Sequence, residues 1–421
     1  MNKTTRALVR VKKMLRVLGP GLVTGASDDD PSGIATYSQA GASFGYTTLW
    51  TALFTFPLMA AIQGMCARIG IVTSQGLTVT LKKHYPKSVL YTVLLFSFPA
   101  ITFNIGADIQ GMGAVAHMLF PQISVSFFSV MVTAILILII IKYPYQKLAM
   151  LLKWLCLSLL LYIIVPFLVK PDWSEVAKNT LIPSFQFNKE FISILVAILG
   201  TTISPYLFFW QATMEAESIA HRKKSVVVNK RILGEMKTDV NFGMFFSNLV
   251  MFFIILSTGA VLYNEGIYQI ETVEQAAKAL EPLAGNLTYF IFAVGVLGTG
   301  LIAIPVLAGS QSYMLAETFG WEEGLDKKFN EAKWFYITII ISLLIGLSLD
   351  SIGISPVKAL IYTAVLYGVT APVLIAVIIH ISNNKKIMGE FTNNKLSNFL
   401  GIITLLLMSF AAIAMLYFQL A

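Results

Sequence analysis

The sequence predicts an all-α membrane protein of about eleven transmembrane helices, arranged as two inverted repeats of five, with helices 1 and 6 broken at the membrane midplane. Three observations predict it. Of 421 residues, 56% are hydrophobic and 12% charged, with mean hydropathy +0.74, whereas soluble domains carry about 25% charged residues. Apolar stretches long enough to cross a bilayer recur along the whole chain, with no long soluble segment between them. Two of these stretches, the first and the sixth, are interrupted by proline beside small and polar residues. Paired interruptions at corresponding positions of two halves point to inverted repeats with a site at the midplane.

The spans centre near Asp30, Pro57, Ile101, Ala134, Leu159, Ser204, Met251, Val296, Ile341, Val369 and Leu406. They form one membrane domain over residues 1–421: a first repeat over about 17–169, a second over about 190–382 and an extra helix over about 396–418. Lys and Arg set the orientation. The basic clusters at Lys3–Arg16, Lys82/Lys83/Lys87, Lys142/Lys147, His221–Arg231, Lys327/Lys328 and Lys385/Lys386 all fall on one side if spans alternate from a cytoplasmic N-terminus. The acidic connection with Glu265, Glu271, Glu274 and Glu281 falls on the other. An odd span count then puts the C-terminus outside. Thr73 to Tyr91 reads as an interfacial segment, and residues 170–190 and 264–286 as short external excursions.

Composition also excludes function classes. The net charge of +8 comes from basic residues between hydrophobic runs, which reads as topogenic charge and not as a nucleic-acid surface. Cys66 and Cys156 lie in apolar segments without ligand spacing, and the four histidines form no HxxxH or HExxH pair. The first residues lack a signal-peptide cleavage pattern. The expected setting is a multi-pass cell-membrane protein with no cofactor and no obligate protein partner.

The chemistry concentrates at the two breaks. In the first span, Gly25-Ala-Ser-Asp28-Asp29-Asp30-Pro31-Ser-Gly33 places three consecutive carboxylates before a helix breaker. An ionised Asp at a helix centre costs about 2.5 to 3.5 kcal/mol, so three facing lipid would cost about 7 to 10 kcal/mol. A cation is the natural partner for that charge. The sixth span carries Leu199-Gly-Thr-Thr-Ile-Ser204-Pro205-Tyr206. Proline removes a donor and opens the helix, and the freed carbonyls are tolerated only against protein, water or a bound ion. A simple proline kink is the plainer reading of Pro205 taken alone.

Among the other intramembrane polar residues, Asp108 is a functional candidate by default. Asn104, Asn241 and Asn248 read as hydrogen-bonding glue between helices. Thr370 either borders the site or bonds its own backbone. Asp350 and Lys358 read as interfacial, and Glu215 and Glu217 as a solvated face at the inner end of span six.

These residues resemble a known family. GPGLVTGASDDDPSGIATYSQAGA is similar to the first-span motif of the Nramp divalent-metal transporters, with its Asp-Pro-Gly-Asn break, and TTISPYLFFWQA resembles their sixth-span Met-Pro-His motif. The resemblance implies a LeuT-like fold over essentially the whole chain. It places the family's metal-binding Asp at Asp30, its Asn at Gly33 and its metal-binding Met at Ser204. It places sixth-span histidines at Tyr206 and Gln211, the third-span Asp at Asp108 with its Glu partner at Gly111, and a tenth-span Gln at Thr370. The departures most resemble the divergent Nramp-related magnesium transporters.

Ligand chemistry leads the same way. Thioether sulfur favours softer transition metals, and Ser204 removes it. Carboxylate, hydroxyl and backbone oxygens with room for water suit Mg²⁺, which dehydrates reluctantly. The expectation is that Asp30 neutralises a largely hydrated Mg²⁺, with Asp29 or Asp28 helping through water, Gly33 leaving space, and Ser204 and Thr370 holding shell waters; Mn²⁺ should still enter. Asp108, Tyr206 and Gln211 line the pathway. Tyr206 and Gln211 do not titrate near neutral pH, so transport without obligatory proton coupling is expected. The alternative is a proton-coupled Mn²⁺/Fe²⁺ Nramp-type transporter. A sodium-coupled amino-acid carrier would have its substrate carboxylate repelled by the three aspartates. An intramembrane aspartyl protease using Asp30 and Asp108 would want Gly-x-Gly-Asp, where this chain has Asn104-Ile-Gly-Ala-Asp108. The chain is therefore not expected to be an enzyme.

Overall fold

Proline and glycine punctuate the described helices where the sequence places them. The computed structural model describes residues 19–143, 157–220 and 228–420. The clusters at Lys3–Arg16, Lys147 and most of His221–Arg231, together with Cys156, lie outside the described residues. The first span is two helices, α1 (Pro20–Asp28) and α2 (Pro31–Phe44). Each starts with Pro in its first turn, where the missing N–H is no loss. Next come α3 (Trp50–Thr73), the short α4 (Leu77–His84), α5 (Lys87–Leu119) and α6 (Val125–Lys142). The sixth span is again two helices, α7 (Lys189–Thr202) and α8 (Pro205–Ala220). The longer helices that follow are α9 (Lys230–Thr258), α10 (Thr288–Phe319), α11 (Lys333–Ser348), α12 (Pro356–Asn383) and α13 (Lys395–Leu420), and shorter helical segments such as Trp173–Leu181 lie between the labelled ones.

Among the described residues, eight helices are long and apolar enough to cross a membrane, the α7–α8 pair counting as one. The shorter apolar helices Leu159–Val169 and Lys333–Ser348, with the α1–α2 pair, bring these to the eleven expected segments. The sixth span is central: 94% of its apolar window is buried, against 33% for α6 and 39% for α13. The outer helices turn Phe127, Val130 and Leu138, or Phe399, Leu406 and Ile413, outward, as a lipid-facing surface requires.

Small residues let the helices of the breaks approach their neighbours. A Cβ at Gly25 of α1 would stand 2.3 Å from the Gly243 carbonyl oxygen of α9. A Cβ at Gly200 of α7 would stand 2.0 Å from the Ala364 oxygen of α12. Without a hydrophobic drive between helices in lipid, such backbone proximity is what holds them. α2 packs on α7, α9 and α12, so both breaks lie inside the bundle. The Thr73–Tyr91 segment is only partly interfacial: Leu77, Thr78, Thr80 and Leu81 of α4 are buried, while Lys82, Lys83 and His84 are exposed.

Candidate functional site

Asp30 is the N-cap of α2. Its extended backbone (φ −70°, ψ 172°) lets the side chain turn back over the first turn. Oδ1 accepts from the Ser32 hydroxyl and the Gly33 N–H, both at 2.7 Å, and Oδ2 accepts from the Asn104 amide of α5 at 2.9 Å. The carboxylate lies at the positive end of α2, which favours its charge. The same Asn104 nitrogen donates to Asp108 Oδ2 at 3.3 Å, so one amide joins Asp30 to Asp108. Asp28 and Asp29 turn to a different helix. Ser247 of α9 donates to Asp28 Oδ2 at 2.5 Å and also lies 3.3 Å from Asp29 Oδ1. All four carboxylates are buried, and Asp28 Oδ1, Asp108 Oδ1 and Asn104 Oδ1 have no hydrogen-bond partner.

The second break faces the first. Tyr206 of α8 donates its hydroxyl to the Ser27 carbonyl of α1 at 2.8 Å, and its ring lies 5.9 Å from that of Tyr367 on α12. One turn on, Thr24 donates to Gln211 Oε1 at 2.5 Å, and Gln211 Nε2 donates to Glu215 Oε1 at 3.0 Å. Ser204 is buried, and its hydroxyl turns back onto the Gly200 and Thr201 carbonyls, closing the end of α7. Thr370 likewise bonds Leu366 O at 2.9 Å, the own-backbone alternative.

Two expectations are corrected. Gly33 does not open space: a Cβ there would meet Asp28 O and Thr201 Oγ1 at 3.3 Å and Tyr37 at 3.4 Å, because α7 closes against the break. Glu215 is not on a solvated face. It is buried under Gln211, and Glu217 accepts from Tyr313 at 2.7 Å.

Sequence alone does not single out several residues that tie the breaks into the bundle. Asp239 of α9 accepts from the N–H groups of Gly19, Gly21 and Leu22 at 2.8, 2.7 and 3.2 Å, capping α1. An Asp within a span was the available signal, masked by the basic connection just before it. Glu317 of α10 takes Thr213 and the Val79 N–H at 3.0 and 3.1 Å, tying α4, α8 and α10 together. Beside it, in the connection after α10, burial and then the Glu317 and Glu217 charges push Glu323 up to about 8, with Lys327 opposing.

A model of the Nramp family, described as natural resistance-associated macrophage protein-like, matches residues 21–418. The chain belongs to the Nramp family. Similar relatives are the divalent metal cation transporters MntH of Caldanaerobacter subterraneus subsp. tengcongensis (27% identical over 402 residues, 94% of this chain and 91% of that protein) and of Clostridium acetobutylicum (27% over 424 residues, 99% and 94%). Among solved structures, a manganese transporter of Eremococcus coleocola superposes with TM-score 0.75 at 18% identity, covering 96% of this chain and 87% of that one. Mhp1, a nucleobase-cation-symport-1 family transporter, superposes with TM-score 0.55 at 12% identity, covering 95% and 92%. The fold of this Nramp protein is thus the expected LeuT-like one, a multi-pass helical membrane protein interrupted at its first and sixth spans. Among the described residues of this Nramp chain, no three His, Cys, Asp or Glu side chains converge into a group that could hold a metal ion.

Proposed function

We propose that this chain moves divalent metal cations across the membrane, with Mg²⁺ and Mn²⁺ passing as largely hydrated ions and without obligatory proton coupling. The reading rests on one observation: Asp30, buried at the first break, sits in an all-oxygen-and-nitrogen setting of Ser32, Gly33 and Asn104, with one oxygen of Asp28 and one of Asp108, Oδ1 in each, unpartnered nearby in sequence and network. In this reading Asp30 and Asp29 face the ion, the Ser204 and Thr370 oxygens, whose hydroxyl protons go to their own helices, accept from its shell waters, Gly33 serves only by its N–H to Asp30, and Asp28, Asp108, Tyr206 and Gln211 line the pathway. Hard oxygens without thioether do not select soft metals, and scattered ligands leave Mg²⁺ its waters. The names of the MntH relatives support a divalent cation as cargo.

The side chains at two sixth-span pathway positions support uncoupled transport. Tyr206 and Gln211 are neutral near pH 7. At Gly111, one turn beyond Asp108, a Cβ would meet Leu360 at 3.0 Å, so the space there is apolar. The membrane potential contributes about 2.3 kcal/mol per charge per 100 mV, twice that for a divalent ion, so uptake needs no proton. The expected orientation has a cytoplasmic N-terminus, from the basic clusters.

Proteoliposome flux with Mg²⁺, Mn²⁺, Ca²⁺ and Cd²⁺, with internal pH recorded, tests the reading. Mg²⁺ and Mn²⁺ should enter without acidification, Cd²⁺ should compete weakly, and Asp30→Ala should abolish flux. Mg²⁺ uptake that survives Asp30→Ala sinks the site, and metal-dependent acidification sinks the coupling claim.

A further inference from the structure

Asn104 carries more than helix-to-helix glue would need. It is wholly buried on α5, one turn before Asp108. Its single NH2 group spans two carboxylates from different helices, Asp30 Oδ2 at 2.9 Å and Asp108 Oδ2 at 3.3 Å. A positive partner for both acids would have to lie where this nitrogen lies. The other end of the amide, Oδ1, is buried without any partner, and a buried acceptor left unpaired destabilises the state that holds it so.

We propose that Asn104 is a ligand residue for the transported cation, one that exchanges its N–H donors for its amide oxygen when the ion arrives. The inference rests on the reading of Asp30 as an ion-binding carboxylate. The terminal torsion of Asn is broad and roughly two-fold, so a half-turn swaps nitrogen and oxygen while Cβ stays in place. With the nitrogen inward, the N–H bonds hold the two carboxylates. With a divalent cation between those carboxylates, the N–H groups would point at positive charge, and the turned amide presents Oδ1 instead. An amide oxygen is a neutral, hard donor of the kind Mg²⁺, Mn²⁺ and Ca²⁺ accept. The turn also relieves the orphaned oxygen. The supply from α5 matters because α2 gives no side chain at Gly33, where Asp28 O and Thr201 Oγ1 wall the Cβ position at 3.3 Å.

The test is Mn²⁺ binding to the purified full chain, by calorimetry and by the loss of free Mn²⁺ EPR signal, with Cd²⁺ as competitor. Wild type and Asp30→Ala come first: if wild type binds no Mn²⁺, or Asp30→Ala binds it equally well, the functional reading fails regardless of Asn104. Given Asp30-dependent binding, Asn104→Leu should weaken Mn²⁺ by roughly ten- to a hundredfold, the range found when a group supporting a metal is lost. Asn104→Asp, which places an anionic oxygen at the same position, should tighten it. Asn104→Cys should raise the Cd²⁺-to-Mn²⁺ affinity ratio at least about tenfold, because sulfur then reaches the ion. A purely structural Asn104 gives another pattern: Asn104→Asp loses stability through repulsion with Asp30 and Asp108 and binds no tighter, and Asn104→Cys keeps the wild-type ratio. That pattern overturns the proposal. The ratio is internal to one folded variant, so it decides even if Asn104→Leu does not fold.

Discussion

Asp239→Asn should loosen α1 from the bundle while leaving the rest of the fold in place. Asp239 receives three N–H groups at the start of α1, those of Gly19, Gly21 and Leu22, at 2.7 to 3.2 Å and lies at the positive end of that helix. The amide variant keeps one acceptor oxygen and loses the other together with the charge. A lost cap costs about 1 kcal/mol, and a charge at a partly buried helix terminus is worth up to about 2 kcal/mol. The sum of about 2 to 3 kcal/mol corresponds to roughly a 30- to 140-fold rise in the population with α1 released. Ser27→Cys supplies the reporter, in a Cys66→Ala/Cys156→Ser background. Ser27 is wholly buried and its hydroxyl bonds only its own helix at Val23 O, so a thiol is a modest change. Maleimide labelling from either face of sealed vesicles then reports release of α1, and Asp239→Asn should accelerate labelling by that factor. An unchanged rate in a folded variant would refute the latch.

Tyr206→Phe removes one bond between the breaks, to Ser27 O, worth about 1 kcal/mol, and should speed the same labelling about fivefold. Gly25→Ala forces a Cβ to within 2.3 Å of Gly243 O and should cost about 1 to 3 kcal/mol, read as a lower melting temperature. Gly64→Ala, with nothing within 4 Å, should be neutral or gain up to about 1 kcal/mol. Glu323 has its carboxyl raised from 4.5 to about 8 by burial and neighbouring acids, so the folded state holds a proton that the unfolded state releases. Stability should therefore fall as pH rises between about 4.5 and 8. Glu323→Gln should flatten that slope in melting curves from pH 5 to 9, and an unaltered slope would remove Glu323 as its source.

The breaks were legible because their residues are incompatible with any continuous helix in lipid: Pro31 after three acids, and Pro205 after Gly200 and hydroxyl residues. Which neighbour satisfies each group was not legible. Ser247 and Asn104 are ordinary polar residues at helical positions in the sequence, and only packing brings them to Asp28 and Asp30. Gly33 read as open space because sequence shows what a residue lacks, not what fills the gap; Thr201 fills it. Glu215 read as solvated for its charge and its place near a span end, yet Gln211 lies over it.

The three aspartates, adjacent in the chain, are fastened to different bodies. Asp28 and Asp29 bond Ser247 of α9, and α1 as a whole is held by Asp239 of α9 and by Thr24 and Ser27 contacts to α8. Asp30 instead belongs to α2, through Ser32 and Gly33, and to α5, through Asn104. The chain crosses from one set to the other at Asp29, whose backbone (φ −84°, ψ 53°) is outside both helices. A displacement of α1 would thus leave Asp30 and its bonds to α2 and α5 unbroken. On the proposed roles of Asp30 and Asn104, ion choice and gating become separable: substitutions at Asn104 or Asp30 should change which cation binds, and substitutions at Asp239 or Tyr206 should change how often α1 opens. A variant of Asp239 that altered the Mg²⁺-to-Cd²⁺ affinity ratio as strongly as Asn104→Cys would show that the two bodies move as one.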